Sequence, residues 1–110
     1  MLTVTRSHTT ALSRLGHALS DPTRAGVLLA LRNGPAYPSE LADDLGVSRQ
    51  VMSNQLAYLR GCGLVEAVPE GRRSSYRLAD VDLAPALGGL LPVVLSVEPD
   101  CCAGEECTCT

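Results

Sequence analysis

Residues 39–78 read SELADDLGVSRQVMSNQLAYLRGCGLVEAVPEGRRSSYRL, and two hydrophobic periods meet within them. Leu41 and Leu45 recur at helical spacing, and Met52, Leu56 and Leu59 follow at i, i+4 and i+7. Gly46 ends the first of these helices and Ser48 caps the second. Gly61 and Gly63 close the second helix. Beyond them the period changes: Leu64, Val65 and Val68 read as a strand, PEGRR as a turn, and SSYRL as the returning strand of a hairpin.

Upstream, residues 10–20 place Leu12, Leu15 and Leu19 on one helical face. Asp21 can cap a second helix, with Pro22 in its first position. That helix stops at Asn33-Gly34, and the next begins near Pro38. Downstream, a last helix over roughly residues 81–96 carries Leu83, Leu87, Leu90, Leu91, Val94 and Leu95. Pro85 suits its first turn, and Pro92 is expected to kink or shorten it. The expected fold is mainly α with a β-hairpin wing. Residues 1–97 form one domain, and residues 98–110 form a flexible, acidic, Cys-rich tail.

The chain of 110 residues is 45% hydrophobic but has no Phe and no Trp, so its core must be built from Leu, Val and Ala. A core that small favours an oligomer. No apolar run reaches membrane-spanning length, and the first residues lack the apolar stretch of a signal peptide, so the expected location is the cytoplasm. There, clustered cysteines point to metal or redox chemistry rather than to structural disulfides. The net charge of −3 is unevenly placed, with Glu98, Asp100, Glu105 and Glu106 all in the tail. Residues 1–97 carry nine Arg, no Lys and eight acids, a net of +1. Arg suits bidentate contacts to phosphate and guanine, although a GC-rich genome gives the same bias.

Two short helices joined by GVS match helix–turn–helix geometry: a small residue at the turn, a capped second helix and a polar outer face. That face offers Ser48, Arg49, Gln50, Ser53 and Asn54, which can reach base edges or phosphates in a major groove. An ordinary packed helix pair with a solvated face has the same pattern. The hairpin separates the two readings, because Arg72 and Arg73 at its tip would lie on a DNA backbone or minor groove as a wing.

With these elements, ALSDPTRAGVLLAL and residues 39–78 resemble the ArsR/SmtB family of metal-responsive repressors, most closely its cadmium/lead-sensing branch. The resemblance covers about residues 10–96 and rests on Asp21-Pro22-Thr23-Arg24, SNQLAYLRGCGLV and EGRRSSYRL. It implies a winged helix–turn–helix homodimer, paired through its first and last helices, that binds double-stranded operator DNA and is not an enzyme. Gln55 departs from the family, where His is usual.

The family's metal sites are only partly represented. The third helix has no cysteine. Asp80 and Asp82 match the start of an acid-and-His site whose later ligands are missing from LLPVVLSV, so capping of the last helix is their expected role. The cadmium/lead branch uses thiolates at the end of the recognition helix plus a tail cysteine. Cys62 matches one of these, but Tyr58 stands where the other would be. Cys101, Cys102, Cys107 and Cys109 supply four more thiols, which suit Cd²⁺, Pb²⁺, As(III), Zn²⁺ or Ni²⁺. Cys62 also reads as a small buried apolar residue. His8 and His17 are further, lower-ranked nitrogen donors. The expected function is a DNA-binding regulator whose operator affinity is changed by a metal. The alternatives are a thiol-redox regulator without metal, and a metal carrier or thiol enzyme.

Overall fold

The structure, a computed structural model, describes residues 6–95. The tail, with Cys101, Cys102, Cys107 and Cys109, lies outside the described residues, as does the expected boundary at residue 97. The elements run α1 (Arg6–Leu19), α2 (Pro22–Leu31), α3 (Pro38–Leu45), α4 (Arg49–Gly61), β1 (Val65–Glu70), β2 (Arg73–Leu78) and α5 (Leu83–Leu95). This is a mainly helical winged helix–turn–helix. Helix α1 starts about one turn before the expected residue 10, because no Pro or Gly interrupts the chain there.

The helix ends are set locally. The Asp21 carboxylate accepts the Arg24 backbone N–H at 3.0 Å, and Pro22 opens α2. The Ser48 hydroxyl accepts the Val51 N–H at 3.1 Å and starts α4. Between α3 and α4 the chain turns at Gly46, whose φ of 68° is left-handed and favours glycine. Pro92 does not end α5, which continues to Leu95.

The wing is tighter than the sequence suggests. Glu70 pairs directly with Arg73, so the turn consists of Gly71 and Arg72 alone, and Pro69 and Glu70 belong to β1. Gly71 has φ 66° and no non-glycine residue among the described residues has positive φ, the pattern of a two-residue type II′ hairpin. A further pairing attaches the α2–α3 linker to this sheet. Ala36 donates to the Tyr76 carbonyl at 3.0 Å and accepts from the Tyr76 N–H at 2.8 Å.

The core gathers Val27, Leu28 and Leu31 of α2, Leu41 and Ala42 of α3, and Met52, Leu56 and Leu59 of α4, with Ala18, Val65 and Leu87. The three α4 residues share one helical stripe, so the opposite stripe faces solvent. Helix α5 is anchored by Leu87 alone among its buried residues. Leu90, Val93, Val94 and Leu95 stay exposed, as does Leu12 on α1, which is 70% accessible on the single chain. No described helix is long and apolar enough to cross a membrane.

Candidate nucleic-acid interface and thiol site

Burial of the Met52, Leu56 and Leu59 stripe fixes which way α4 faces. Ser48, Arg49, Gln50, Ser53 and Asn54 are all exposed along its other side. The Gln50 side-chain amide donates to Asn54 Oδ1 at 3.0 Å, so the two amides form one polar unit. The Ser48 oxygen is occupied as a cap, which leaves its O–H free to donate. A thirteen-residue helix is about 20 Å long, matched to a major groove's reach.

Arg72 and Arg73, read together as the wing tip, part company in the structure. Arg72 sits in the turn and is exposed. Arg73 opens β2 and folds back so that its guanidinium carbon lies 3.6 Å from the centre of the Tyr37 ring. Such a stack contributes about 0.5–1 kcal/mol at an exposed site and holds the guanidinium in place. Arg77 on the same strand pairs with Glu66 at 2.5 Å, so its charge is locally balanced.

The far end of α4 carries the one cysteine among the described residues. Cys62 is its C-cap residue and is exposed, so it is not the buried core residue that one reading of the sequence allowed. One turn back, Tyr58 lies on the same side. The phenol of Tyr58 is raised above its usual pKa, first by desolvation, then by the charge of Cys62 and a hydrogen bond with it, while Arg24 acts in the opposite sense.

Arg24 organises this end of the molecule, which its place in the sequence did not reveal. Its Nε donates to the Ala18 carbonyl and its Nη2 to the His17 carbonyl, each at 3.0 Å. Its Nη1 donates to Gln55 Oε1 at 3.1 Å, and the guanidinium carbon lies 4.3 Å from the centre of the Tyr58 ring. One side chain thus closes the C-terminus of α1 onto α4. Gln55, the departure from the family pattern, is the acceptor that this fork requires. The only sequence signal was the Asp21-Pro22-Thr23-Arg24 motif itself.

The remaining metal candidates are scattered. The His17 ring is 6.1 Å from that of Tyr58, and His8 is exposed on α1. Asp80 Oδ1 accepts the Asp82 N–H at 2.7 Å, the Leu83 N–H bonds to the Asp80 carbonyl, and the Ala86 N–H to that of Asp82. The two aspartates therefore stand at the entry to α5, in the position of helix-starting residues. Among the described residues, no three His, Cys, Asp or Glu side chains are grouped as a metal site would need.

Residues 21–67 match the bacterial regulatory protein arsR family. The HTH-type transcriptional regulator CmtR of Mycobacterium tuberculosis is 57% identical over 90 residues, which cover 82% of this chain and 76% of that protein. The NMR structure of the cadmium metal-sensor CMTR from Mycobacterium tuberculosis matches with a TM-score of 0.67 at 56% identity, over 81% of this chain and 92% of that one. A homodimeric winged helix–turn–helix DNA-binding domain from Mycobacterium bovis, a possible ArsR-family regulator, matches with a TM-score of 0.74 at 29% identity, over 86% of this chain and 90% of that one.

Proposed function

Since the chain belongs to the ArsR family of bacterial regulatory proteins, we propose that it is an operator-binding homodimer whose DNA affinity is changed by a soft metal ion held on thiolates. It acts as a transcriptional regulator and not as a catalyst. Arg49, Gln50, Ser53 and Asn54 enter the major groove, Ser48 and the start of α4 meet a phosphate, and Arg72 and Arg73 lie on the backbone. The two copies pair through α1 and α5, where Leu12, Leu90, Val93, Val94 and Leu95 are exposed on one chain.

One observation supports the metal reading above the others. Cys62 is exposed at the C-cap of the same helix that carries the DNA-reading face at its other end. The body of one chain supplies a single thiol with a phenol one turn away, too few donors for a closed site. Soft donors to complete it exist in the sequence as Cys101, Cys102, Cys107 and Cys109. Cadmium, lead, As(III), zinc and nickel are the candidate ions. Cadmium ranks first, because the mycobacterial relative is a cadmium sensor. Metal bound between Cys62 and the tail favours one arrangement of α4, and DNA favours another, so each opposes or assists the other by the same factor.

The experiment is a Cd²⁺ titration of full-length protein and of Cys62→Ser, each bound to labelled duplex from its own promoter region. Metal-dependent change of affinity in the wild type and its loss in Cys62→Ser supports the reading. An equal metal response in both removes Cys62 from the switch.

A further inference from the structure

The cleft where α3, α4 and the wing meet is lined by Tyr37, Ser39, Arg49, Arg73 and Ser74, and has a volume of about 360 Å³. Its charged lining is cationic: two guanidiniums and no carboxylate. Neither Arg49 nor Arg73 is in an ion pair among the described residues. Glu40, the nearest acid in sequence, is not among the lining residues, and its carboxylate accepts the Tyr37 backbone N–H at 3.0 Å.

The cleft is also held in shape. Ala36 is bonded through both backbone groups to Tyr76, which fixes the next residue, Tyr37, beside the wing. Arg73 then stacks on the Tyr37 ring at 3.6 Å. Stacking uses the flat face of a guanidinium, so its in-plane N–H donors stay available to an anion. Ser39 and Ser74 are also lining residues, each carrying a hydroxyl that can donate. Two planar cations and two serines among the residues lining one hollow fit a tetrahedral oxyanion that carries a single charge.

We infer that this cleft seats one backbone phosphate of double-stranded DNA. Arg49, reaching the phosphate from the edge of the groove that its helix enters, and Arg73 grip it, Ser39 and Ser74 donate to it, and Tyr37 positions Arg73. The inference rests on the DNA-binding reading above and extends it from surface contacts to a built site. The seat reads no base. It joins the first turn of α4 to the root of the wing, and so sets the register of one against the other on the duplex.

The test uses the full-length chain and a random-sequence labelled duplex, with affinity measured across a salt series. Arg73→Gln is expected to weaken binding and to lower the slope of log affinity against log salt by about one. Tyr37→Leu, which keeps every charge, is expected to weaken binding several-fold, and Tyr37→Phe, which keeps the ring under Arg73, to recover most of that loss. A wild type that binds while Arg73→Gln and Tyr37→Leu retain its affinity and slope overturns the seat and leaves the DNA-binding reading intact. A wild type that binds no duplex at low salt overturns both. In a second arm, inorganic phosphate alone is added while the backbone amide signals of Ser39 and Ser74 are followed. Saturation at micromolar phosphate would make the cleft a free-anion site and overturn its assignment to DNA. Shifts that require the duplex support it without depending on any variant's folding.

Discussion

Arg24 on α2 donates from Nη1 to Gln55 Oε1 on α4 at 3.1 Å, across 31 residues of sequence. The same guanidinium holds the last carbonyls of α1 and lies on the Tyr58 ring. Arg24→Ala removes all of these contacts from a half-buried position and is expected to destabilise the protein by about 2 kcal/mol. Arg24→Lys should recover little, because an ammonium cannot reproduce the fork. Urea unfolding of the wild type and both variants measures this. A loss below a few tenths of a kcal/mol would contradict it.

The α2–α4 contact is the centre of the core, where Leu28 and Met52 are both fully buried. Leu28→Ala is expected to cost about 2–5 kcal/mol, by lost transfer energy and an unfilled cavity. In a protein this small such a loss leaves a large unfolded fraction at room temperature, visible as reduced helical circular dichroism.

Tyr58 should titrate late. Desolvation and the neighbouring Cys62 hold its phenol above the ordinary value near 10.0. Its protonated form is favoured by folding. The stabilisation is therefore complete below the unfolded pKa and is lost as pH rises through the higher folded value. Phenolate absorbance in alkaline titration should show one of the three tyrosines lagging, and Tyr58→Phe should remove that component. Cys62→Ala should move it earlier, since two of its raising causes disappear.

Charge on the exposed side of α5 should break the dimer. Val93 and Val94 are 61% and 53% accessible on the single chain, so Val93→Asp or Val94→Asp costs little within it. In a pair built through α1 and α5 the same carboxylate would be buried against an apolar surface. Sedimentation should report dimer for the wild type and monomer for Val94→Asp, with weaker duplex binding. A variant that remains dimeric would place the interface elsewhere.

Much of this fold was legible because its signals are local. Asp21-Pro22, Gly46 and Ser48 mark helix ends by backbone chemistry that needs no partner. The stripe of Met52, Leu56 and Leu59 oriented the recognition helix before any contact was known. What stayed hidden depends on residues distant in sequence. The seat of Arg73 on Tyr37 exists because Ala36 pairs with Tyr76, and no periodicity announces a single bridge between a linker and a strand. The fork of Arg24 spans three helices. Leu12 makes a related point: helical spacing marks an apolar face but not whether the chain itself covers it. Cys62 gave a similar ambiguity, since a small thiol after a glycine reads equally as packing or as a ligand, and its exposure removes the first reading.

The central claim is that the thiols of Cys62 and the tail form the sensor of a DNA-binding body. The most direct measurement compares full-length protein with a chain ending at Val97, both reduced. Each is titrated with Cd²⁺, Zn²⁺, Ni²⁺ and As(III) while heat of binding and duplex affinity are followed together. The account predicts tight binding of a soft ion and a coupled change in DNA affinity for the full chain, and loss of both on truncation with metal-free DNA binding preserved. Retention of tight binding and of the DNA response by the shortened chain would contradict it and place the sensor in the body.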